Sequence, residues 1–427
     1  MRCLLVSAPE SEGLAAALEP ALGEPVTVAG LSRMTGGASR ETWAFTANGH
    51  ELILRRDPPG RRVGPVAMRR EADAMRACAR AGLRVPEVLV HDDGTLLGTA
   101  GLVMRRVPGE TIARRILRDE TYAVARERLV TDLGQFMAGL HSLQSQQIPD
   151  LEQPEPLGKV WELYQRVGDT SPVFEKAYQW LADHPLPPSP VTLVHGDLRL
   201  GNLIVDPAGL AAVIDWELVH LGDPLEDLAW LCLKAWRFGA PLEVGGLGTI
   251  DELIAAYKAA GGRSVDREAF RWWLVQRTLT WGIGCMAQAD VHLRGQVRSV
   301  ELAAVGRRAA EQEWDLLELL APQAVRAALD APVPEPAADV RTLYGRPTAR
   351  ELLAAVRDFL TDDVLPQPGR VGFHGRVAAN VLALVDRELA AHHVERSGDD
   401  WETLALNTRD RLLVASPKHL DSTRSSA

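Results

Sequence analysis

Apolar and polar positions divide this chain into a strand-rich stretch and a longer helical one. Between about Val26 and Val107 the short runs Thr42 to Phe45, Leu52 to Arg55 and Gly101 to Met104 read as strands. The first two are joined through Asn48-Gly49, both tolerant of positive φ, which predicts a hairpin. Met68 to Ala81 reads as a helix with Met68, Ala72, Met75 and Ala79 on one face. Pro108-Gly109 then marks a hinge. From Thr111 onward helical spacing dominates, with Leu129, Leu133, Phe136, Met137, Leu140 and Leu143 forming one core stripe. Trp161 to Ala182, Leu253 to Ala260, Arg271 to Ala289 and Val300 to Leu320 read as further helices, and Gly13 to Leu22 as a short one near the start.

The Pro-rich stretch from Ala331 to Ala337 is extended and stiff, and it reads as a boundary. Beyond it come helices over Thr348 to Thr361, with Thr348 as cap, Gly375 to His392, and Asp399 to Val414. The expected division is an N-terminal extension (1–27), a β-rich lobe (28–107), a helical lobe (108–328), a Pro-rich linker (329–340), a separate helical domain (341–420) and a disordered tail (421–427).

Composition narrows the function classes. Apolar residues make up 46% and charged residues 24% of 427 residues, as in an ordinary globular protein. A formal net charge of -10 argues against nucleic acid as a partner. No run of about 18 apolar residues predicts a membrane span, and the opening MRCLLVSAPESEG has too short an apolar run for a signal peptide. Cys3, Cys78, Cys232 and Cys285 lie far apart, which predicts buried free thiols in a reducing, cytoplasmic setting.

The candidate chemistry is concentrated in Leu193 to Trp230. A short apolar strand delivers His195-Gly196-Asp197 at its exit. A hydroxyl is a poor nucleophile, and the Asp197 carboxylate can orient one and take its proton. Arg199 can offset charge on a transferring phosphoryl group. Asn202 follows, and a hairpin turning at Asp206-Pro207-Ala208-Gly209 returns the chain at Asp215. An amide and a carboxylate, completed by waters and phosphate oxygens, suit magnesium. His195 reads as a structural hydrogen-bond partner, and Asp223 and Asp227 as caps of the next helix.

Upstream, Thr35-Gly36-Gly37-Ala38-Ser39 either brings backbone amides close to phosphate or is simply a turn. Arg55 and Glu71 either form an ion pair that aims a guanidinium at phosphate or stay solvated. Arg105, Arg106, Arg114, Arg115, Arg118, Arg126 and Arg128 form either a solvated face or a landing zone for an anionic substrate.

The order HGD, four residues, Asn, a hairpin, Ile-Asp-Trp, then GDP and DLAW resembles the aminoglycoside phosphotransferase and choline kinase-like family over roughly residues 28 to 325. The resemblance implies an α+β, bilobal protein kinase-like fold, here with a C-terminal all-α domain added. It implies a phosphotransferase using ATP or GTP and Mg2+, with an alcohol as acceptor. Asp197 would be the catalytic base, with Arg199 beside it, and Asn202 and Asp215 the metal ligands. Gly36, Gly37 and Ser39 would cover the phosphates. Arg55 would stand where the family usually has lysine, Glu71 would be its helix partner, and Met104 would complete the cofactor-binding set. His195 and Asp227 would support the site, Asp227 through the loop's backbone amides. LILRRDPPG, GGASRETW and IDWELVHLGDPLEDLAW look closest to the branch associated with acyl-CoA dehydrogenases. That implies a hydroxyacyl-CoA-like acceptor and a partner in an acyl-CoA dehydrogenase pathway. Aminoglycoside, macrolide, choline or homoserine kinases and a nucleotide-binding scaffold are the alternatives.

Overall fold

The computed structural model describes residues 10–34, 40–58, 65–144, 148–337, 339, 346–391 and 396–424. Its contacts group the chain into two compact units. One is Met1–Pro154 with Pro188–Phe270, the other Glu155–Pro187 with Arg271–Ala427. This grouping cuts across the expected helical lobe and joins the C-terminal helices to part of it.

In the first unit, α1 (Ser11–Leu22) is followed by β1 (Val28–Arg33), β2 (Glu41–Ala47), β3 (His50–Arg56), α2 (Pro65–Arg80), β4 (Val88–Asp92) and β5 (Gly101–Arg105). The strands form one sheet in the order β1-β2-β3-β5-β4, and every neighbouring pair is antiparallel. In β2, Glu41, Trp43, Phe45 and Ala47 are buried while the residues between them are partly exposed, so the pleat sends one face inward. Asn48 and Gly49 sit at φ 49° and 82° and close the expected hairpin, with Ala47 opposite His50. Trp43, Phe45, Leu52, Leu54 and Val103 pack with Leu14 and Leu18 of α1. On α2 the buried line is Met68, Glu71, Ala72, Met75 and Cys78. Ala79, expected on that face, is exposed.

The turn out of the sheet needs glycine. Gly109 has φ 146°, and a Cβ there would lie 2.8 Å from the Val205 carbonyl oxygen. Glu110 then exchanges two backbone hydrogen bonds with Val205, at 2.8 and 3.0 Å, so the expected hinge is tied down just after its glycine. Next come α3 (Ala113–Arg118) and α4 (Ala123–His141), and in the second unit α5 (Gly158–Val167) and α6 (Pro172–Asp183). The first unit resumes with β6 (Thr192–Val194), β7 (Leu203–Asp206), β8 (Gly209–Val213), β9 (His220–Gly222), α7 (Leu225–Cys232) and α8 (Ile250–Ala259). β7 pairs with β8, and β6 with β9. Asp132 on α4 fixes the β7–β8 hairpin by accepting the Leu210 N–H at 3.0 Å.

The second unit adds α9 (Arg267–Leu293) from Arg271 on, α10 (Val300–Gly306), α11 (Ala309–Leu320), α12 (Pro322–Asp330), α13 (Ala349–Phe359), α14 (Arg370–Ala390), α15 (Trp401–Ala415) and α16 (Pro417–Arg424). The single helix expected over Trp161 to Ala182 is two. Gly168, at φ 76°, ends α5, and the Ser171 hydroxyl caps α6 with Pro172 in its first turn. Val300 to Leu320 likewise divides into α10 and α11. Arg409 of α15, 1% exposed, donates to the carbonyls of Ala328, Ala331 and Pro332 at 2.7, 2.9 and 3.3 Å. The start of the Pro-rich stretch is therefore anchored. The tail expected to be disordered from Asp421 is helical as far as Arg424. Thr423 explains this, because its hydroxyl accepts from the buried Trp314 Nε1 at 2.9 Å. No helix among the described residues is long and apolar enough to cross a membrane. Cys78, Cys232 and Cys285 are buried and unbridged, while Cys3 lies outside the described residues.

Candidate active site

The site begins where β6 ends. Gly196 has φ 82°, and a Cβ there would meet the Leu218 carbonyl oxygen at 2.7 Å. The loop it permits is held from below by Asp227 in the first turn of α7. Asp227 Oδ2 accepts the His195 N–H at 2.8 Å, and its Oδ1 accepts the Gly196 N–H at 2.9 Å. His141 Nε2 lies 3.4 Å from Oδ2, and His141 Nδ1 lies 3.0 Å from the Tyr257 hydroxyl. Asp227 is fully buried. Burial works against its charge, but the His141 hydrogen bond, the neighbouring His141 and His195 rings and the His195 N–H outweigh it. The carboxyl is held below its ordinary range.

His195 is a structural member of this loop. Its Nδ1 accepts the Asp197 N–H at 3.2 Å, which leaves Nε2–H to donate to the Ile214 carbonyl at 3.1 Å. Its ring packs edge-on against Trp216, with centroids 4.7 Å apart.

Asp197 sits among donors. Asn202 Nδ2 donates to its Oδ2 at 2.6 Å and to its backbone carbonyl at 2.9 Å. Arg199 Nε donates to Oδ1 at 3.0 Å and reaches Oδ2 at 3.3 Å. Trp230 Nε1 donates to Oδ1 at 2.8 Å. The Arg199 guanidinium lies 5.0 Å from the centre of the Trp236 ring. Both tryptophans escape a reading based on polar residues. The signal for Trp230 was its position three residues after Asp227 on α7, which puts both side chains on one helix face.

The second cluster is built on ion pairs. Asp215 follows β8 in the left-handed region at φ 67°. Arg55 of β3 donates from Nη1 to Glu71 Oε1 at 2.5 Å and from Nη2 to Asp215 Oδ1 at 2.7 Å. Glu71 is fully buried, and its other oxygen pairs with Arg40, which also lies 3.4 Å from Asp57. Arg40 was missed because a lone arginine after a glycine pair carries no spacing signal. Burial opposes the Arg55 charge, but Glu71, Asp215 and Glu217 outweigh it and push its proton affinity above the ordinary value. In the same way burial works to raise Asp215, and Arg55 overrides it and holds the carboxyl low.

The two clusters meet through the backbone, where the Ile214 N–H donates to the Asn202 carbonyl at 2.9 Å. Among the described residues, neither Asn202 Oδ1 nor Asp215 Oδ2 has a hydrogen-bond partner. An amide oxygen and a carboxylate oxygen are the hard donors that magnesium takes, so the residues fit that ion with waters and phosphate oxygens completing the shell. No group of three or more His, Cys, Asp or Glu among the described residues has a metal-binding arrangement. Met104 is buried on β5, opposite Ile53 of β3. Gly36, Gly37 and Ser39 lie outside the described residues.

The arginine zone resolves into two kinds. Arg105 and Arg106 pair with Glu87 and Glu51, Arg115 pairs with Glu110, and Arg126 donates to the carbonyls of Ile116 and Asp119. Arg114, Arg118 and Arg128 are exposed and have no side-chain partner among the described residues.

A sequence profile described as the phosphotransferase enzyme family matches residues 30–273. The chain is similar to acyl-CoA dehydrogenase family member 10 of Mus musculus. The two are 35% identical over 220 residues, covering 48% of this chain and 20% of that one, so the chain spans about a fifth of that relative's length. It is also similar to viomycin phosphotransferase of Streptomyces vinaceus, 27% identical over 237 residues, covering 51% of this chain and 76% of that one. In fold it is similar to a Ralstonia eutropha protein solved as a candidate aminoglycoside phosphotransferase. That match has a TM-score of 0.57 at 22% identity and covers 73% of this chain and 98% of that one.

Proposed function

The chain belongs to the phosphotransferase enzyme family, and from that premise we propose that it is a small-molecule kinase moving the γ-phosphoryl group of ATP or GTP to an alcohol. Its fold is the kinase-like one, an antiparallel sheet followed by a helical part and further C-terminal helices. The observation that carries the reading is the 2.6 Å hydrogen bond from Asn202 to Asp197. It couples a carboxylate suited to a proton with an amide whose oxygen stays available.

In this reading Asp197 orients the acceptor hydroxyl and takes its proton. Asn202 and Asp215 would hold Mg2+, which when bound neutralises phosphate charge. Arg55, oriented by Glu71, grips phosphate oxygens in place of the usual lysine. Its fork is always charged and can grip phosphate, with a geometry different from that of an ammonium. Arg199 offsets charge on the transferring group. Gly36, Gly37 and Ser39 cover the phosphates, Met104 borders the nucleotide, and His195 and Asp227 keep the loop in shape.

The acceptor we favour is an anionic hydroxyacyl thioester of the coenzyme A type. The three unpartnered arginines of the 114–128 stretch support an anion over a polycationic drug, and the dehydrogenase-named relative supports the acyl class. An acyl-CoA dehydrogenase acting on the same acyl chain would be its pathway partner. The unbridged buried thiols agree with a cytoplasmic setting. The viomycin phosphotransferase likeness favours a drug acceptor as the second reading.

The test is to incubate the full chain with MgATP or MgGTP and a panel of hydroxyacyl-CoA thioesters, aminoglycosides, macrolides, choline and homoserine. Mass spectrometry then shows which acceptor gains phosphate. Thioester phosphorylation is expected, and it should fall ~10²–10⁴-fold in Asp197→Ala. Drug phosphorylation without thioester turnover would overturn the acceptor, and full activity in Asp197→Ala would overturn the base.

A further inference from the structure

The two oxygens of Asp197 are not equivalent. Oδ1 carries two donors, Trp230 Nε1 at 2.8 Å and Arg199 Nε at 3.0 Å. A carboxylate oxygen has two lone-pair sites, so these donors fill it. Among the described residues Oδ2 carries Asn202 Nδ2 at 2.6 Å and the weaker share, at 3.3 Å, of the Arg199 N–H that also reaches Oδ1. It is therefore the oxygen better placed to take another donor.

Trp230 is placed for this task. It lies one helical turn beyond Asp227 on α7, so a single helix face fixes the backbone of residues 195–196 through Asp227 and the side chain of residue 197 through Trp230. Trp230 and Trp236 are 6% and 5% exposed, too buried to serve as stacking platforms for an acceptor. The Trp236 ring lies under the Arg199 guanidinium at 5.0 Å and steadies the second donor.

We infer that Trp230 is a positioning residue for phosphoryl transfer: by occupying Oδ1 of Asp197 it makes Oδ2 the oxygen that receives the acceptor's proton. The inference rests on the kinase reading above. In the step it governs, the acceptor O–H proton passes to Oδ2 as the acceptor oxygen bonds to the γ-phosphorus. The bond from that phosphorus to the β–γ bridging oxygen breaks, its electron pair leaves with the nucleoside diphosphate, and the proton on Asp197 returns to solvent. Without the indole N–H the carboxylate is free to turn about its last torsion, and the fraction of productive encounters falls.

The test has two arms on the full chain. In the first, Trp230→Phe keeps the ring and removes the donor. With MgATP and whichever panel acceptor turns over, or water as acceptor, kcat should drop about tenfold or more while KM for ATP stays within about twofold. An unchanged kcat, or a loss carried by KM or by a lowered melting temperature, would overturn the inference. In the second arm, tryptophan indole N–H signals are recorded by NMR, and the signal missing from Trp230→Phe is that of Trp230. If that variant fails to fold, Trp230→Tyr identifies the signal. Removing the acceptor with Asp197→Ala should move this signal upfield, and a signal that stays in place would overturn the inference. If no acceptor turns over, this arm decides alone. The two failures are distinct. Activity retained in Asp197→Ala removes the kinase reading itself. Activity lost there but intact in Trp230→Phe removes only the role of Trp230.

Discussion

The two halves of the site solve opposite electrostatic problems. Around Asp197 the donors are an amide, an indole and one guanidinium, and one carboxylate oxygen is held less tightly than the other. Around Arg55 the groups are almost all charged, with Arg40 and Arg55 set against Glu71, Asp57, Asp215 and Glu217. On the proposed kinase reading, a group that accepts a proton is better held by directional donors that engage one of its oxygens less than the other. A group that must meet phosphate is better held by fixed charges that keep a cation in one place. Rate should therefore depend on the first cluster, and stability and nucleotide affinity on the second.

The largest expected break of that contrast is Glu71→Gln. The substitution leaves two arginines, 2% and 14% exposed at their side chains, sharing one neutral acceptor. Breaking a buried ion pair on one side commonly costs about 3–5 kcal/mol. Urea denaturation should show a loss of that order, whereas Asp197→Ala should leave the denaturation midpoint close to wild type while abolishing most transfer. Equal losses of stability in both variants would erase the distinction.

A smaller effect should follow from Arg55→Lys. Arginine reaches Glu71 and Asp215 with different nitrogens, and an ammonium on one atom cannot reproduce that span. KM for ATP is expected to rise about tenfold, close to 1.4 kcal/mol, with kcat changing less. Improved ATP binding would mean that the Asp215 contact competes with nucleotide.

Much of this site was legible because its chemistry lies in one stretch. Asp197, Asn202 and Asp215 are carried by a strand, a loop and a hairpin whose apolar runs and turn residues are unambiguous, and the β2–β3 hairpin was as clear for Asn48-Gly49. The partners supplied from elsewhere were harder. His141 reaches Asp227 from 86 positions away, and Arg55 reaches Asp215 from 160. Spacing along the chain does not encode either contact. The strands that escaped notice are those without alternation. β1 is bent by a register shift between Ala29 and Ser32 with Gly30 at φ 65°, and β4 is an edge strand with half-buried positions. Trp230 escaped because an indole reads as core until its N–H is seen to meet a carboxylate.

The smallest expected effect separates two fully buried carboxylates that sequence alone treats alike. Burial opposes the charge on both. Asp227 meets two backbone N–H groups and His141 and is held low. Glu313 of α11 meets side chains instead, the Ser171 hydroxyl at 2.6 Å and Arg411 at 3.1 and 2.5 Å; burial wins, and it is held high. A carboxyl held low in the folded state takes up its proton more readily when unfolded. The Asp227 contribution is thus complete above the ordinary aspartate value of about 4 and is lost as pH falls through the lower folded value. Glu313 has the opposite sign. Its contribution is complete below the ordinary glutamate value of about 4.3 and is lost as pH rises through the higher folded value. Denaturation midpoints measured across pH should therefore lose their acid-side slope in Asp227→Asn. In Glu313→Gln they should lose a decline at higher pH, so that this variant gains on wild type as pH rises. Identical pH profiles in the two variants would show that the two buried carboxyls are not held in opposite directions.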